Sequence, residues 1–326
     1  MKTLRLFCIV LMLFLVLKGM TMGAAQDKYD LPEPYLGWER AYLEEFPVLQ
    51  GLMDLMVKIT AEQLTEPEFD ILHNRVCSAL AYRMAKQLPR DARKLAVATD
   101  LLHNISKEEK KVILTNPEIF QQSAQMVAGL RKAGYFKGSD KFWSDEAVLK
   151  NPRIGPNRAL IHHITGALKA GEILGYVKGF SEKDVQELQV AILEHSTGYW
   201  YLRASVDEAS RQKGAWQVVY PEPENEISKI AHDADLISQF VPESVVPDGS
   251  KWRELAKKRW AAKNVQEEGH IVYYVFLRLF EEAKTDSGRE MAREKWEKIR
   301  PELIKLMNLN ADQDPIKVLG VPKIFQ

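Results

Sequence analysis

The sequence predicts an all-α protein. Apolar residues recur three and four positions apart along almost the whole chain, which is the spacing of helices that bury one face. The longest β-like stretch, GAWQVVYPEPE from Gly214, is short and closed by prolines. Helix start signals such as Ser181 ahead of Asp184 support this interpretation. The predicted helices lie near 38–64, 66–88, 91–104, 107–114, 117–134, 143–149, 157–176, 182–196, 203–210, 224–240, 251–284 and 287–308.

Residues 1–25 predict a secretory signal peptide. Lys2 and Arg5 precede an apolar run from Leu6 to Leu17, and small residues follow up to Ala25. The run is shorter than the roughly 20 apolar residues of a transmembrane helix. We therefore expect an exported protein, periplasmic or secreted, with no membrane span after cleavage. An uncleaved N-terminal anchor is the alternative.

Composition limits the partners and the source of stability. Loss of the signal peptide would remove three of the 45 basic side chains and none of the 45 acidic ones, which leaves a net charge of −3. This balance does not favour nucleic acid as a partner. Because only Cys77 would remain, no intramolecular disulfide could form, and stability must come from core burial. The sequence does not indicate an oligomeric state.

A proline-rich stretch suggests the domain organisation. The segment VPESVVPDGS combines three prolines or glycines with turn-forming residues before another helical pattern. It predicts a helical domain over 26–245 and a C-terminal helical extension over 246–326.

Several histidines lie on apolar helical faces. His73 and His195 each have apolar neighbours at helical spacing, so we expect both rings to point toward the interior. A single histidine of this kind is usually a core residue. Several on separate helices, with aspartates among them, favour a metal site instead, because imidazole and carboxylate groups are ligands of divalent metals.

Five segments carry these residues in order: ILHNRVCSALAYRMAKQL, AVATDLLHNISKEEK, LIHHITGALKAGEIL, VAILEHS and IAHDADLIS. Over residues 66–240 the series resembles the HD-domain metal-dependent phosphohydrolases. The resemblance implies an HD-type all-α bundle whose helices converge on one or two divalent metal ions, with Mn, Fe, Ni, Zn and Mg as candidates. It also implies a small phosphorylated substrate.

The resemblance also implies a set of metal ligands. His163 is preferred to its neighbour His162 because it begins the phrase H-x-x-G-A. In IAHDADLIS, Asp235 is the preferred ligand and Asp233 the alternative, while His232 would support a ligand or face solvent. The implied ligands are His73, His103, Asn104, His163, His195 and Asp235.

One position departs from the family pattern. The family has His-Asp where this chain has His103-Asn104. An asparagine oxygen can bind a metal but brings no charge, so we expect weaker binding. Asp100, which precedes Asn104 by one helical turn, could supply the missing carboxylate. A solvated or ion-paired Asp100 is the alternative.

Other residues are candidates for substrate contact. Lys107 ends the phrase that resembles the family motif and could bind a phosphate group as a point charge. Arg158 could also bind phosphate. Tyr199 could stack on a base, and Arg203 could bind phosphate. Core packing is the alternative for the aromatic residue.

Two functions follow from these observations. The first is an exported phosphohydrolase that acts on a small nucleotide or phosphate ester. The second is a catalytically lapsed HD domain that binds a ligand or partner. The chain contains no G-x-S-x-G, P-loop or C-x-x-C phrase that would support a different catalytic arrangement.

Overall fold

The fold is helical. A computed structural model of the chain describes residues 31–64, 67–107, 117–138, 162–196, 221–238 and 251–326. Every regular element within these ranges is a helix, which confirms the predicted all-α class. The α-helices are α1 (Tyr35–Glu45), α2 (Val48–Gln63), α3 (Pro67–Met84), α4 (Arg90–Leu102), α5 (Pro117–Lys132), α6 (His162–Leu174), α7 (Glu182–Glu194), α8 (Glu226–Ser238), α9 (Lys251–Trp260), α10 (Val265–Glu282), α11 (Asp286–Leu306) and α12 (Pro315–Leu319).

Two predicted long helices are each divided in two. The helix predicted over 38–64 is interrupted at Pro47, which has no N–H to donate and disfavours a helical residue before it. The helix predicted over 251–284 is interrupted before Asn264, whose side chain accepts a hydrogen bond from the backbone N–H of Glu267 at 2.9 Å. Such a cap begins a new helix. The short helix α12 was not predicted.

The start of α7 agrees with the sequence signal. Ser181 Oγ accepts a hydrogen bond from the Asp184 N–H, and the Asp184 carboxylate accepts one from the Ser181 N–H, which completes a capping box. The helices predicted at 143–149 and 203–210, and all but the first residue of 107–114, lie outside the described residues.

Four helices surround the candidate site. Helix α3 packs against α4 and α8, and α7 packs against α4 and α8. Because α3 also contacts α1 and α2, most of its residues are buried on all sides, unlike those of a surface helix. The histidines and aspartates of the resemblance lie on these four helices or directly after them, except His162 and His163, which begin α6.

The C-terminal helices pack onto the same body. Helix α11 contacts α8, and one hydrophobic core includes residues from Leu31 to Met307, on both sides of the predicted boundary at 245. The boundary and the signal peptide over 1–25 lie in ranges that the structure does not describe, so both stay predictions. None of the described helices is both long enough and apolar enough to cross a membrane.

Candidate metal centre

Helix α3 contributes two potential ligands one turn apart. His73 and Cys77 are buried, and Cys77 is a free thiol. Their i, i+4 spacing puts both side chains on one face, with Cys77 Sγ 3.6 Å from His73 Nε2. The ring of Phe69 stacks on His73 at a centroid distance of 5.7 Å. This stacking keeps the His73 ring in the protein interior.

His103 ends α4 with a defined tautomer. Its Nδ1 lies 2.8 Å from the carbonyl oxygen of Asp100, which can only accept, so Nδ1 carries the proton and Nε2 the lone pair. A carbonyl partner at one ring nitrogen is the usual arrangement of a metal-ligating histidine. Gly166 allows α6 to approach this turn, because a Cβ there would lie 2.9 Å from the His103 carbonyl oxygen.

His195 repeats this arrangement at the end of α7. Its Nδ1 donates to the Ile192 carbonyl oxygen at 2.6 Å, so its Nε2 also carries a lone pair. The rings of His103 and His195 are 4.9 Å apart between centroids. Two buried imidazoles from different helices therefore present lone pairs in one region of the core.

Asp235 brings a carboxylate to His73 and His103. Its Oδ1 lies 3.2 Å from His73 Nε2. His73 Nε2 is also 3.1 Å from His103 Nε2, which carries a lone pair. One N–H of His73 can donate to only one of these acceptors, whereas a cation between the three atoms would interact with all of them. The ligand atoms of His73, Cys77, His103 and Asp235 all lie within 4.8 Å of one another. This buried cluster could hold a metal ion.

Burial sets the protonation of the cluster. Burial lowers the pKa of His103 well below its ordinary value and lowers the pKa of His195 to about 4, so both imidazoles are neutral at pH 7. Burial alone would raise the pKa of Asp235, but the hydrogen bond from His73 and the electrostatic interaction with the neighbouring histidines hold it well below 3.8. Neutral imidazoles and an ionised carboxylate are the forms that bind metals.

Asn104 lies at the cluster without adding charge. Its Nδ2 donates to His103 Nε2 at 2.8 Å, which is the lone pair that would bind an ion. Its Oδ1 is buried and has no hydrogen-bond partner among the residues that the structure describes. The asparagine therefore competes for a ligand atom in this arrangement, and its own oxygen is available.

Asp100 is buried beneath the same turn. Neither of its carboxylate oxygens has a hydrogen-bond partner within the described part of the chain. Burial, and then the charge of Asp235, raise the pKa of Asp100 well above 3.8. It is not one of the four residues whose ligand atoms converge, so its compensating role stays a prediction.

Helix α6 presents His162 to His195. The two Nε2 atoms are 3.0 Å apart, whereas the sequence favoured the neighbouring His163. Both histidines are buried, and burial, with a smaller electrostatic contribution from His195, lowers the pKa of His163. Adjacent helical residues point about 100° apart, so the rotation of α6 decides which of them faces His195.

Asp233, the alternative to Asp235, is held by a different set of contacts. Its oxygens accept hydrogen bonds from the backbone N–H of Lys284 at 2.8 Å and of Thr285 at 2.7 Å. His232 Nδ1 lies 3.0 Å from Asp233 Oδ1. Asp233 thus stabilises the start of α11, and His232 is buried beside it.

The remaining predicted residues divide between the cluster and the ranges that are not described. Lys107 is half-buried, and its charge lies near enough to His195 to contribute to the lowering of that pKa. Arg158, Tyr199 and Arg203 lie outside the described residues, so their proposed contacts with substrate stay predictions.

Two features were missed from the sequence. The His73-x-x-x-Cys77 spacing on a helix is a signal that could have identified the thiol as a candidate ligand. Arg75 was not expected to be buried, yet its Nε donates to Glu39 Oε2 at 2.7 Å in a buried ion pair. No local pattern joins two residues 36 positions apart.

The fold and the site together define the class of protein, which is all-helical and contains a buried cluster of imidazole, carboxylate and thiol groups. Comparison with known proteins finds no matching family model, no matching curated protein and no matching solved structure.

Proposed function

We propose that this chain is an exported metal-dependent phosphohydrolase that acts on a small nucleotide or phosphate ester. The observation that carries the proposal is the convergence of His73, His103 and Asp235 around one buried point, with the lone pair of His103 directed there. The order of these residues in the chain, which resembles that of the HD phosphohydrolases, supports the reaction class.

We assign each residue of the cluster a role in binding metal or substrate. His73, His103 and Asp235 would hold one divalent ion, while His162 and His195 would contribute to a second. Such an ion would bind phosphate oxygens and lower the pKa of a water molecule. The Lys107 ammonium would attract the substrate phosphate to this region.

The carbonyl hydrogen bonds prepare the site. Nδ1 of His103 and Nδ1 of His195 are each fixed by a carbonyl one turn earlier, so neither ring needs to reorient to bind. Burial of the histidine rings also lowers the local dielectric constant, which strengthens the electrostatic interaction of their nitrogen atoms with a cation.

The first experiment is metal analysis of the tag-free protein by inductively coupled plasma mass spectrometry, with Asp235→Ala as the control. We expect about one or two equivalents of a divalent metal in the native protein, a large loss in the variant, and hydrolysis in a screen of phosphate esters. No metal after reconstitution with Mn, Fe, Ni, Zn or Mg would overturn the proposal.

The second candidate function is a lapsed domain that binds a ligand or partner. It is favoured by the hydrogen bond from the Asn104 amide to His103 Nε2, which occupies a ligand atom. Asn104→Asp separates the two functions. A large rise in metal content and hydrolysis would mark a lapsed site, whereas little change with an active native protein would support the first function.

A further inference from the structure

Cys77 lies one helical turn after His73 on α3, with its thiol at the same cluster. Its side chain is fully buried, and its Sγ is 3.6 Å from His73 Nε2. It belongs to the same group of converging ligand atoms as His103 and Asp235. We propose that Cys77 is a thiolate ligand and that the site therefore selects zinc or a similar borderline metal over magnesium or manganese. This inference rests on the metal centre of the proposed function.

The separations agree with a tetrahedral ion. Zinc binds nitrogen at about 2.0–2.1 Å and sulfur at about 2.3 Å, so tetrahedral geometry puts two nitrogens about 3.3 Å apart and a nitrogen and a sulfur about 3.6 Å apart. The two histidine Nε2 atoms are separated by 3.1 Å. Cys77 Sγ lies 3.6 Å from His73 Nε2 and 3.9 Å from His73 Nδ1, so the His73 ring would have to turn its Nε2 toward an ion shared with the thiol. The distance from Cys77 Sγ to His73 Nε2 is therefore that expected between two ligands of one zinc ion.

Charge gives a second, independent argument. With neutral imidazoles and the neutral amide of Asn104, Asp235 would be the single negative ligand of a buried divalent ion. An uncompensated charge in the core is costly. A thiolate from Cys77 would supply the second negative charge and make the site neutral. The thiol proton would pass to solvent as the ion binds, so metal affinity should increase with pH.

Asp100 is the competing source of that charge. Its carboxyl group is buried and close enough to Asp235 to interact with it electrostatically, but its oxygens are not among the converging ligand atoms. The two sources differ in metal preference. Thiolate favours zinc, iron(II) and cobalt(II), whereas carboxylate favours magnesium and manganese.

The test uses cobalt(II) as a spectroscopic probe. Cys8 is the only other cysteine of the chain, so Cys8→Ser in every sample makes Cys77 the single thiol. We expect the cobalt-loaded protein to show a near-ultraviolet thiolate-to-cobalt charge-transfer band. Cys77→Ser should abolish the band, and Asp100→Asn should keep it. Cys77→Ser should also weaken zinc binding by more than the roughly 10–100-fold typical of losing a contact outside the ligand shell.

Each outcome decides between the ideas. Bound cobalt without the band would overturn the thiolate ligand and leave the metal centre standing. A near-ultraviolet band that persists in Cys77→Ser, which contains no thiol, would not arise from a thiolate and would also overturn it. If neither cobalt nor zinc binds, both the inference and the proposed function fail. If Cys77→Ser does not fold, zinc X-ray absorption of the unsubstituted site decides: a sulfur at about 2.3 Å supports the ligand, and its absence overturns it.

Discussion

Asp233 accepts two hydrogen bonds from Thr285 through the same carboxylate oxygen. The Thr285 N–H and hydroxyl each donate to Asp233 Oδ2 at 2.7 Å. Thr285 is also the cap of α11, where its Oγ1 accepts a hydrogen bond from the Gly288 N–H at 2.9 Å. The helix that carries the proposed ligand Asp235 is thus joined directly to the start of α11, one of the C-terminal helices.

Asp233→Ala is expected to destabilise the fold. The substitution leaves the N–H groups of Lys284 and Thr285 without their acceptor at a partly buried junction, at a cost of up to about 1–3 kcal/mol for each group. Urea unfolding followed by circular dichroism measures the loss. Asp286→Ala, at an exposed acid beside the same junction, is the matched control and should have a much smaller effect. Equal losses would contradict the role of Asp233.

Gly288→Ala is expected to disturb the same junction from the other side. A Cβ at this position would lie 2.1 Å from Asp233 Oδ2, so the carboxylate must move and lose hydrogen bonds. We expect a loss of about 1–3 kcal/mol in the free energy of unfolding. Gly51→Ala on α2 meets no atom within 4 Å and should instead stabilise the protein by about 1 kcal/mol. A stabilising Gly288→Ala would show that the contact is loose.

Arg75→Ala should be among the most destabilising single substitutions outside the cluster. It leaves the buried carboxylate of Glu39 without its ion-pair partner, which typically costs about 3–5 kcal/mol. The double variant Glu39→Ala with Arg75→Ala removes both charges and should lose less than the sum of the two single variants. Chemical unfolding of all four proteins completes the double-mutant cycle, and additive losses would argue against the pair.

Glu194→Gln should change how stability depends on pH. Burial raises the pKa of the Glu194 carboxyl from 4.5 to about 7, so the folded protein keeps a proton that the unfolded chain releases. Stability from this group therefore falls as pH rises from 4.5 to about 7. Glutamine removes this loss, so the variant should gain relative to the native protein across that window, by up to roughly 3 kcal/mol.

Unfolding titrations at several pH values between 4.5 and 8 measure this gain. Glu182→Gln, at the exposed start of the same helix, controls for the loss of a negative charge. A constant difference between Glu194→Gln and the native protein at every pH would contradict the prediction. His195 acts in the opposite direction, because its lowered pKa makes stability fall as pH drops from 6.5 toward 4.

Local pattern was sufficient for much of the fold. The helical spacing of apolar residues predicted α3, α4, α7 and α8, and the Ser181 signal gave the start of α7. Two predicted helices are interrupted, at Pro47 by the missing proline N–H and before Asn264 by a helix cap. The spacing of apolar residues does not predict either effect. They were visible in the sequence but were outweighed by the longer periodicity.

The sequence by itself determined the helical class, because the apolar spacing of a helix depends on residues close together in the chain. The order of the histidines is likewise read directly from the sequence. Tertiary packing decided which of them meet. The rotation of each helix depends on all its contacts, and a change of about 100° exchanges His162 for His163. Asp233 and Asp235 are likewise only two residues apart on α8. Asp233 stabilises the start of α11, whereas Asp235 faces His73. Only the packed structure distinguishes such neighbours.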